Sequence, residues 1–223
     1  MARRTQAQMA QTRQSIIDAA TVLFAEHGFA NTQIAQIAEQ AGIGISAFYG
    51  QFRDKEELFL LIVAQMFGEV HSNIVELRRT IRVDSPLETI MAVQRIYDLL
   101  FETLARHREI TLSVMRSGFA TVPALEQLFW EICDAVSEEM TRDFNRAESE
   151  SGLRIGRPQD LSDAMIGMVL QLGHRMARDG FPTPYQASAV CTKFTFGGLM
   201  MYMPSETLKH IAPLLGAFPS DVT

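Results

Sequence analysis

Histidine, cysteine and paired carboxylates, the side chains that most often carry chemistry, lie scattered along this chain of 223 residues. The histidines show neither the HExxH spacing of zinc hydrolases nor the Glu-x-x-His spacing of di-iron bundles. They are His27, His71, His107, His174 and His210. We therefore expect each to be a surface or core histidine, and we expect no metal site and no cofactor.

One cluster of charged side chains resembles a catalytic site only superficially. Its members follow one another at i, i+3 and i+4, which is the spacing of a solvated helix face. They are Glu138, Glu139, Arg142, Asp143 and Arg146. The sequence also lacks a serine-centred nucleophile elbow and a strand-flanked dinucleotide motif. The pattern gives no support to an enzyme.

Composition favours a cytoplasmic protein without membrane contact. Apolar residues make up 47% of the chain, which is ample for a core. The longest apolar run, residues 58–64, is too short to cross a bilayer, and the polar, basic N-terminus lacks the apolar segment of a signal peptide. Cys133 and Cys191 lack CxxC spacing and are expected to be buried thiols.

The net charge of −6 argues at first sight against nucleic acid, but its distribution matters more. The side-chain charges of the first 17 residues are Arg3, Arg4 and Arg13. Residues 1–60 carry five Lys and Arg against six Asp and Glu, whereas residues 61–160 carry eleven against sixteen. One end of the chain is therefore compatible with phosphates while the remainder keeps the protein soluble.

The most informative segment is Thr32–Leu58. Thr32 is predicted to cap a short helix, and Ala41-Gly42-Ile43 supplies a turn with a glycine suited to positive φ. The second helix is predicted to bury Ala47, Phe48 and Phe52. It leaves outward-facing positions at Ile45, Ser46, Tyr49 and Gly50. Two short helices joined in this way predict a helix-turn-helix, which commonly places its second helix in the major groove of DNA.

Almost every other periodic segment has helical spacing. A first helix is predicted over 11–27, and Asp54 is predicted to start a fourth helix with Glu57 as a capping-box-like partner. Further helices are predicted over 86–106, 107–116, 123–148, 159–179, 184–202 and 205–216. We predict an all-α fold in which residues 1–53 form a small DNA-binding module and residues 54–223 form a larger helical body; the resemblance described next implies that this body binds a ligand and forms a dimer.

The order and spacing from Arg13 to Leu58 resemble the TetR family of helix-turn-helix transcriptional regulators. An amphipathic helix ending in AEHGFANT is followed by IAQIAEQAGI, and FYGQF is followed by RDKEEL. The resemblance covers about the first 60 residues. It implies a DNA-binding module followed by a divergent helical body that binds a ligand.

The resemblance implies contacts with double-stranded DNA at nine positions. Thr32, Tyr49 and Lys55 would hold backbone phosphates, with the helix-start amides beside Thr32 and Lys55 contributing. Ile45 and Ser46 would face base edges. The full set is Thr32, Gln33, Gly44, Ile45, Ser46, Tyr49, Gly50, Gln51 and Lys55. Relatives often carry a basic or polar residue where this chain has Ile45, so base readout is expected to be more apolar.

Flexible methionines and flat aromatic rings in the body are the side chains that an apolar effector pocket uses. Ordinary core packing is the alternative for each of them. The candidate lining residues are Phe101, Met115, Phe119, Phe129, Trp130, Met165 and Met168.

Small residues recur in the last two long helices, near 159–179 and 184–202. They would allow these helices to pair with a second copy as a four-helix bundle, although intrachain packing is the alternative. A homodimer would present two recognition helices about one DNA turn, roughly 34–36 Å, apart.

The sequence therefore predicts a homodimeric repressor that binds a palindromic operator and is released by a small apolar effector. Two alternatives stay open. A helical protein–protein adaptor that has lost sequence-specific DNA binding is favoured by the near-neutral first 60 residues and by Ile45. An enzyme built on an α bundle would need a metal or cofactor in the body.

Overall fold

The protein is all-α in a computed structural model that describes residues 2–80, 86–114, 122–151, 154–206 and 208–209. No strand occurs within these ranges. The helices described are α1 (Ala2–His27), α2 (Ile34–Gln40), α3 (Ile45–Tyr49), α4 (Lys55–Thr80), α5 (Pro86–Arg106), α6 (Arg108–Ser113), α7 (Pro123–Ser151), α8 (Pro158–Asp179) and α9 (Pro184–Met200). The predicted fold class is confirmed.

The predicted helix bounds agree closely for α5, α8 and α9, and they are less accurate at the N-terminus. Helix α1 begins at Ala2 and not near residue 11, because the polar segment before its apolar stripe is also helical. Helix α2 begins at Ile34, two residues later than predicted. Most of the predicted helix over 205–216 lies outside the described residues.

Helix α4 is long and apolar enough, by length and composition alone, to cross a membrane. Its 26 residues include a window with a mean hydropathy of 1.5, which the short run 58–64 did not reveal. Leu58, Phe59 and Val63 in its first turns are completely buried within the protein. Only 33% of that window is buried within the protein, and one helix of this kind is weak evidence for a membrane span, because core helices of soluble proteins pass the same test.

The chain divides into two compact units. The first consists of Met1–Glu69 and His107–Phe129, and the second of Val70–Arg106 and Trp130–Thr223. The functional boundary after residue 53 remains a prediction.

The core of the first unit is built on phenylalanine rings. The centroids of Phe24, Phe29 and Phe59 lie 4.6–5.7 Å from one another, and those of Phe48 and Phe52 are 5.9 Å apart. Such ring pairs contribute beyond their buried area. Helix α6 packs against α1 in the same unit. This core fixes the helices that carry the predicted DNA contacts.

In the second unit, α9 packs along α5 and beside α8. Phe101, Met176 and Cys191 belong to the apolar cluster between these helices, and the Tyr97 hydroxyl lies 2.8 Å from the Thr195 hydroxyl. Burial raises the pKa of the Cys191 thiol to about 12. Cys191 is thus the buried thiol that was predicted, whereas Cys133 is only half-buried.

Candidate nucleic-acid interface

The turn between α2 and α3 is closed by a Schellman arrangement. Gly42 has φ +68°, and its amide donates to the Glu39 carbonyl over 3.0 Å. The amide of Ile43 donates to the Ala38 carbonyl over 3.0 Å. Because a left-handed residue at this position favours glycine, Gly42 sets the angle at which α3 leaves α2. The turn predicted from Ala41-Gly42-Ile43 is confirmed.

Helix α3 has a buried and an exposed face. Phe48 is completely buried on the inner face, and Phe52 follows it one turn later with 1% exposure. On the outer face, Ile45 is 49% exposed and Tyr49 is 56% exposed. The remaining exposed positions around α3 are Gly44, Ser46 and Gly50, while Gln51 is half-buried. The structure therefore presents the predicted reading face to solvent.

A groove of about 500 Å³ runs between α3 and the start of α2. It brings together five of the nine predicted contact residues, namely Thr32, Gln33, Ile45, Tyr49 and Lys55. Its other lining residues are Ala30, Ile34 and Ala35. Sequence reasoning did not include Ala30, Ile34 or Ala35 among the DNA-contact residues. The half-buried Ile34 lies at the edge of the groove, where α2 begins.

The prediction that Thr32 caps α2 is wrong. Thr32 is 1% exposed, and its hydroxyl lies 2.9 Å from the Gly28 carbonyl and 3.2 Å from the Leu23 carbonyl, to which it donates. It therefore closes the end of α1. The N-cap of α2 is Gln33, whose amide donates to the Gln36 side-chain carbonyl over 2.8 Å. The Thr32 hydroxyl is thus bonded within the protein, and a contact between Thr32 and a phosphate stays a prediction.

Lys55 also differs from its expected role as a phosphate clamp. Its ammonium donates to the main-chain carbonyls of Phe29 and Thr32, each over 2.7 Å. The same nitrogen lies 4.4 Å from the centroid of the Phe29 ring. Burial lowers the pKa of Lys55. Two of the three N–H groups of this half-buried side chain thus hold the turn between α1 and α2.

The start of α4 is acidic and already capped. The Asp54 carboxylate accepts from the Glu57 amide over 2.8 Å, and this hydrogen bond is the main cause that lowers the pKa of Asp54. The Glu57 carboxylate accepts from the Arg53 amide over 2.7 Å. Two amides that were expected to attract a phosphate beside Lys55 therefore serve carboxylates. The helix start that was predicted from Asp54 and Glu57 is confirmed.

Arg13 is a positioning residue that sequence reasoning missed. Its guanidinium donates to the Gln51 carbonyl over 2.8 Å and stacks 4.2 Å above the Phe52 ring. It thereby ties α1 to the segment that follows α3. A signal was present in the sequence, since Arg13 lies three and four residues before Ile16 and Ile17 on the apolar face of α1. An arginine on the apolar face of a helix indicates that its side chain binds another group of the same protein.

The predicted effector residues are divided between the two units. Phe101 lies in the apolar cluster of the second unit, and Met165 and Met168 pack against that cluster. Phe129 is buried in the first unit. Trp130 was expected to line a pocket but is 51% exposed. Met115 and Phe119 lie outside the described residues.

A second groove, of about 510 Å³, lies in the second unit between α4 and α5. Asn73, Leu77, Arg95 and Leu99 are among its lining residues, and none of the predicted effector residues is. Within the described part of the chain, no group of three His, Cys, Asp or Glu side chains is placed to hold a metal ion.

Helix α9 carries an exposed apolar stripe in the second unit. Val190 is 42%, Phe194 is 72% and Met201 is 85% exposed, and the exposed Gly197 lies between the last two. Val190, Phe194 and Gly197 recur at i, i+4 and i+7, so they share one face of α9, and Met201 is the C-cap residue that directly follows the helix. The exposed face of α8 includes the small residues Ala164 and Gly167.

Comparison with known proteins places this geometry in a family. Residues 16–62 match the bacterial regulatory proteins of the tetR family. The chain is 33% identical over 96 residues to the HTH-type transcriptional regulator AcrR of Shigella flexneri, a match that covers 43% of each chain. It is 20% identical over 190 residues to the uncharacterized HTH-type transcriptional regulator YdgC of Bacillus subtilis (strain 168), covering 85% of this chain and 93% of YdgC.

The fold agrees with solved structures over most of the chain. A transcriptional regulator from Rhodococcus sp. Rha1 superposes with a TM-score of 0.67 at 13% identity, covering 85% of this chain and 96% of that one. The matched segment, residues 16–62, includes α2, the Gly42 turn, α3 and the first turns of α4. Residues 16–62 therefore match the helix-turn-helix module of the tetR family, and the chain is similar to transcriptional regulators of this kind.

Proposed function

We propose that this protein is a ligand-responsive repressor that binds a palindromic operator as a homodimer and is released by a small apolar effector. The observation that carries DNA binding is the exposed face of α3, where Ile45, Ser46 and Tyr49 are held by a buried core. The N-terminal residues of the second helix of such a unit commonly contact base edges. We place the protein in the cytoplasm, where its DNA would be.

Phosphate contacts are assigned to groups that remain free to make them. The Tyr49 side chain is 56% exposed beside the groove, and Gln33 is exposed at the start of α2. Lys55 lines the same groove, but we assign its ammonium to the carbonyls of Phe29 and Thr32 and not to a phosphate. Gly44, Gly50 and Gln51 contribute main-chain or side-chain polar groups around α3. Such contacts fix orientation on the duplex, whereas Ile45 and Ser46 read bases.

The apolar stripe on α9 supports the homodimer. Phe194 and Met201 expose most of their surface in the single chain, and burying such side chains is the main driving force of association. Gly197 on α9 and Gly167 on α8 allow close approach of a second pair of helices. We assign α8 and α9 to a two-fold interface that forms a four-helix bundle.

The apolar cluster around Phe101 supports an effector site in the second unit. Met165 and Met168 border this cluster, and methionine adapts its shape to an apolar ligand. An effector releases DNA only if it binds better to the conformation that binds the operator less well. In our proposal that conformation moves α4, and the two recognition helices no longer fit successive major grooves. We assign the protein no catalytic activity.

The test of DNA binding is a fluorescence-anisotropy titration with DNA from the promoter of its own gene. We expect saturable binding that is tighter than to a scrambled duplex and that weakens as salt concentration rises. Equal affinity for promoter and scrambled DNA over the whole salt range would contradict the proposal. It would favour a helical protein–protein adaptor, which is also supported by the internal use of Arg13 and Lys55.

A further inference from the structure

Ile45 is a large aliphatic side chain at the start of α3, the helix that we propose enters the major groove. It is the first residue of α3, directly after the extended N-cap Gly44. Its side chain is 49% exposed and lines the groove beside α2. An exposed aliphatic residue is ordinary on a protein surface. At this position, however, it would be desolvated whenever α3 enters a major groove.

The surroundings of Ile45 extend its apolar character. Ala30, Ile34 and Ala35, whose side chains are alkyl groups, line the same groove beside Ile45, and its other lining residues are Thr32, Gln33, Tyr49 and Lys55. Gly44 has no side chain, and a Cβ placed there would meet only the Ser46 hydroxyl oxygen, at 3.9 Å. The residue that precedes Ile45 therefore has no side chain that could cover the exposed surface of Ile45.

Base chemistry determines what such a surface can select. In the major groove, guanine, cytosine and adenine present hydrogen-bonding groups, whereas thymine also presents a 5-methyl group. An isoleucine side chain has no donor or acceptor, and burying a polar base edge against it leaves that edge unsatisfied. Contact with a methyl group instead removes apolar surface from water on both sides.

We infer that Ile45 selects a thymine at one position of each operator half-site by packing on its 5-methyl group. The inference rests on the proposed function and names the base feature that the site recognises. It follows that 5-methylcytosine replaces thymine at that position better than cytosine does, because it carries the same methyl group. Ser46 and Tyr49 supply the polar contacts on either side.

The experiment starts from an operator selected out of a random duplex pool by the purified protein. Each thymine of the half-site is then replaced by deoxyuridine, which removes only the methyl group. We expect one symmetry-related pair of positions to respond, with a loss of affinity of about fourfold per half-site, the factor for one buried methyl group. At the same pair, 5-methylcytosine should bind more tightly than cytosine.

A double-mutant cycle assigns the effect to the side chain. Ile45→Ala should bind the thymine and deoxyuridine operators equally, with an unchanged far-ultraviolet circular dichroism spectrum. Val22→Ala, which shortens a 44% exposed aliphatic side chain on α1, should keep the discrimination of the wild-type protein. A methyl effect that persists in Ile45→Ala, or specific binding without any methyl effect, would overturn the inference alone. Failure of the pool to yield any preferred sequence would overturn the proposed function.

Discussion

The Lys55 ammonium donates to the main-chain carbonyl of Thr32 over 2.7 Å, and a second N–H reaches the Phe29 carbonyl at the same distance. The side chain thus joins the start of α4 to the turn that precedes α2. In the same unit, Arg13 joins α1 to the Gln51 carbonyl after α3. Each cation also lies over a phenylalanine ring, at 4.4 Å for Lys55 and 4.2 Å for Arg13. Both ends of the helix-turn-helix are therefore held by buried or half-buried cations.

Replacing Lys55 by alanine should destabilise the protein and leave the salt dependence of DNA binding unchanged. Two half-buried carbonyls lose their donor, which we expect to lower the free energy of unfolding by about 1–2 kcal/mol. The slope of log affinity against log salt should match that of the wild-type protein. A slope smaller by about one unit would show that Lys55 mainly neutralises a phosphate. The matched control for stability is Arg53→Ala, an exposed cation whose loss should destabilise the protein less than the loss of Lys55.

Arg13 should not tolerate replacement by lysine. The planar guanidinium stacks on Phe52 while it donates to the Gln51 carbonyl, and an ammonium cannot reproduce that combination. We expect Arg13→Lys to lower the midpoint of thermal unfolding by several degrees, and Arg13→Ala to lower it further. Differential scanning calorimetry measures both. Gln14→Ala, an exposed neighbour, should leave the midpoint unchanged. Equal midpoints for the wild-type protein and Arg13→Lys would show that the stacking contributes nothing.

The Asp54 cap should give the stability of α4 a defined pH dependence. Since the pKa of Asp54 is lowered in the folded protein, its stabilisation is complete above the ordinary value of 3.8 and is lost as pH falls through the folded pKa. At neutral pH, Asp54→Ala should lower the free energy of unfolding by about 1 kcal/mol. This difference should shrink as the pH of urea denaturation is lowered below the ordinary carboxyl pKa. Asp54→Asn keeps an acceptor without a charge.

Asp54→Asn tests whether the pH dependence comes from the charge of the Asp54 carboxylate. Its stability difference from Asp54→Ala should stay constant over the same pH series, because neither side chain titrates. If the difference between the wild-type protein and Asp54→Ala were also constant, the carboxylate charge would not contribute to the cap.

The bounds of the helices could be predicted well from the sequence because a helix start or stop depends on residues that are neighbours in the chain. Pro86 and Arg106 bound α5 as the hydrophobic spacing predicted, and Gly42 adopts the positive φ that the turn requires. The functions of Thr32 and Lys55 depend on carbonyls contributed by other helices and turns. A threonine before an apolar run has the pattern of an N-cap, and nothing adjacent in sequence shows that Leu23, nine residues away, accepts its hydrogen bond.

For residues of the body, too, the sequence does not show which distant residues each side chain contacts. Periodicity places Phe101, Met165 and Trp130 on helices, but burial depends on which helix lies opposite. Phe101 packs in the α5–α9 cluster, whereas half of the Trp130 surface is exposed. Aromatic and methionine residues therefore identify apolar helix faces in the sequence without distinguishing a core, a ligand site and a subunit interface.

The stripe on α9 gives the last prediction, that Phe194→Glu makes the protein monomeric. The Phe194 side chain is 72% exposed in the single chain, so glutamate should be tolerated there without loss of folding, whereas in a two-fold interface it would bury two like charges. Sedimentation velocity at micromolar concentration should show a dimer for the wild-type protein and a monomer for the variant. Val22→Glu, a change of the same kind on α1, should remain dimeric. Phe194→Glu should also lose most of its affinity for a palindromic operator. It should keep only weak binding to a half-site, since a single recognition helix makes half of the contacts. A dimeric Phe194→Glu would place the interface elsewhere, and a monomeric wild-type protein would remove the basis for a palindromic operator.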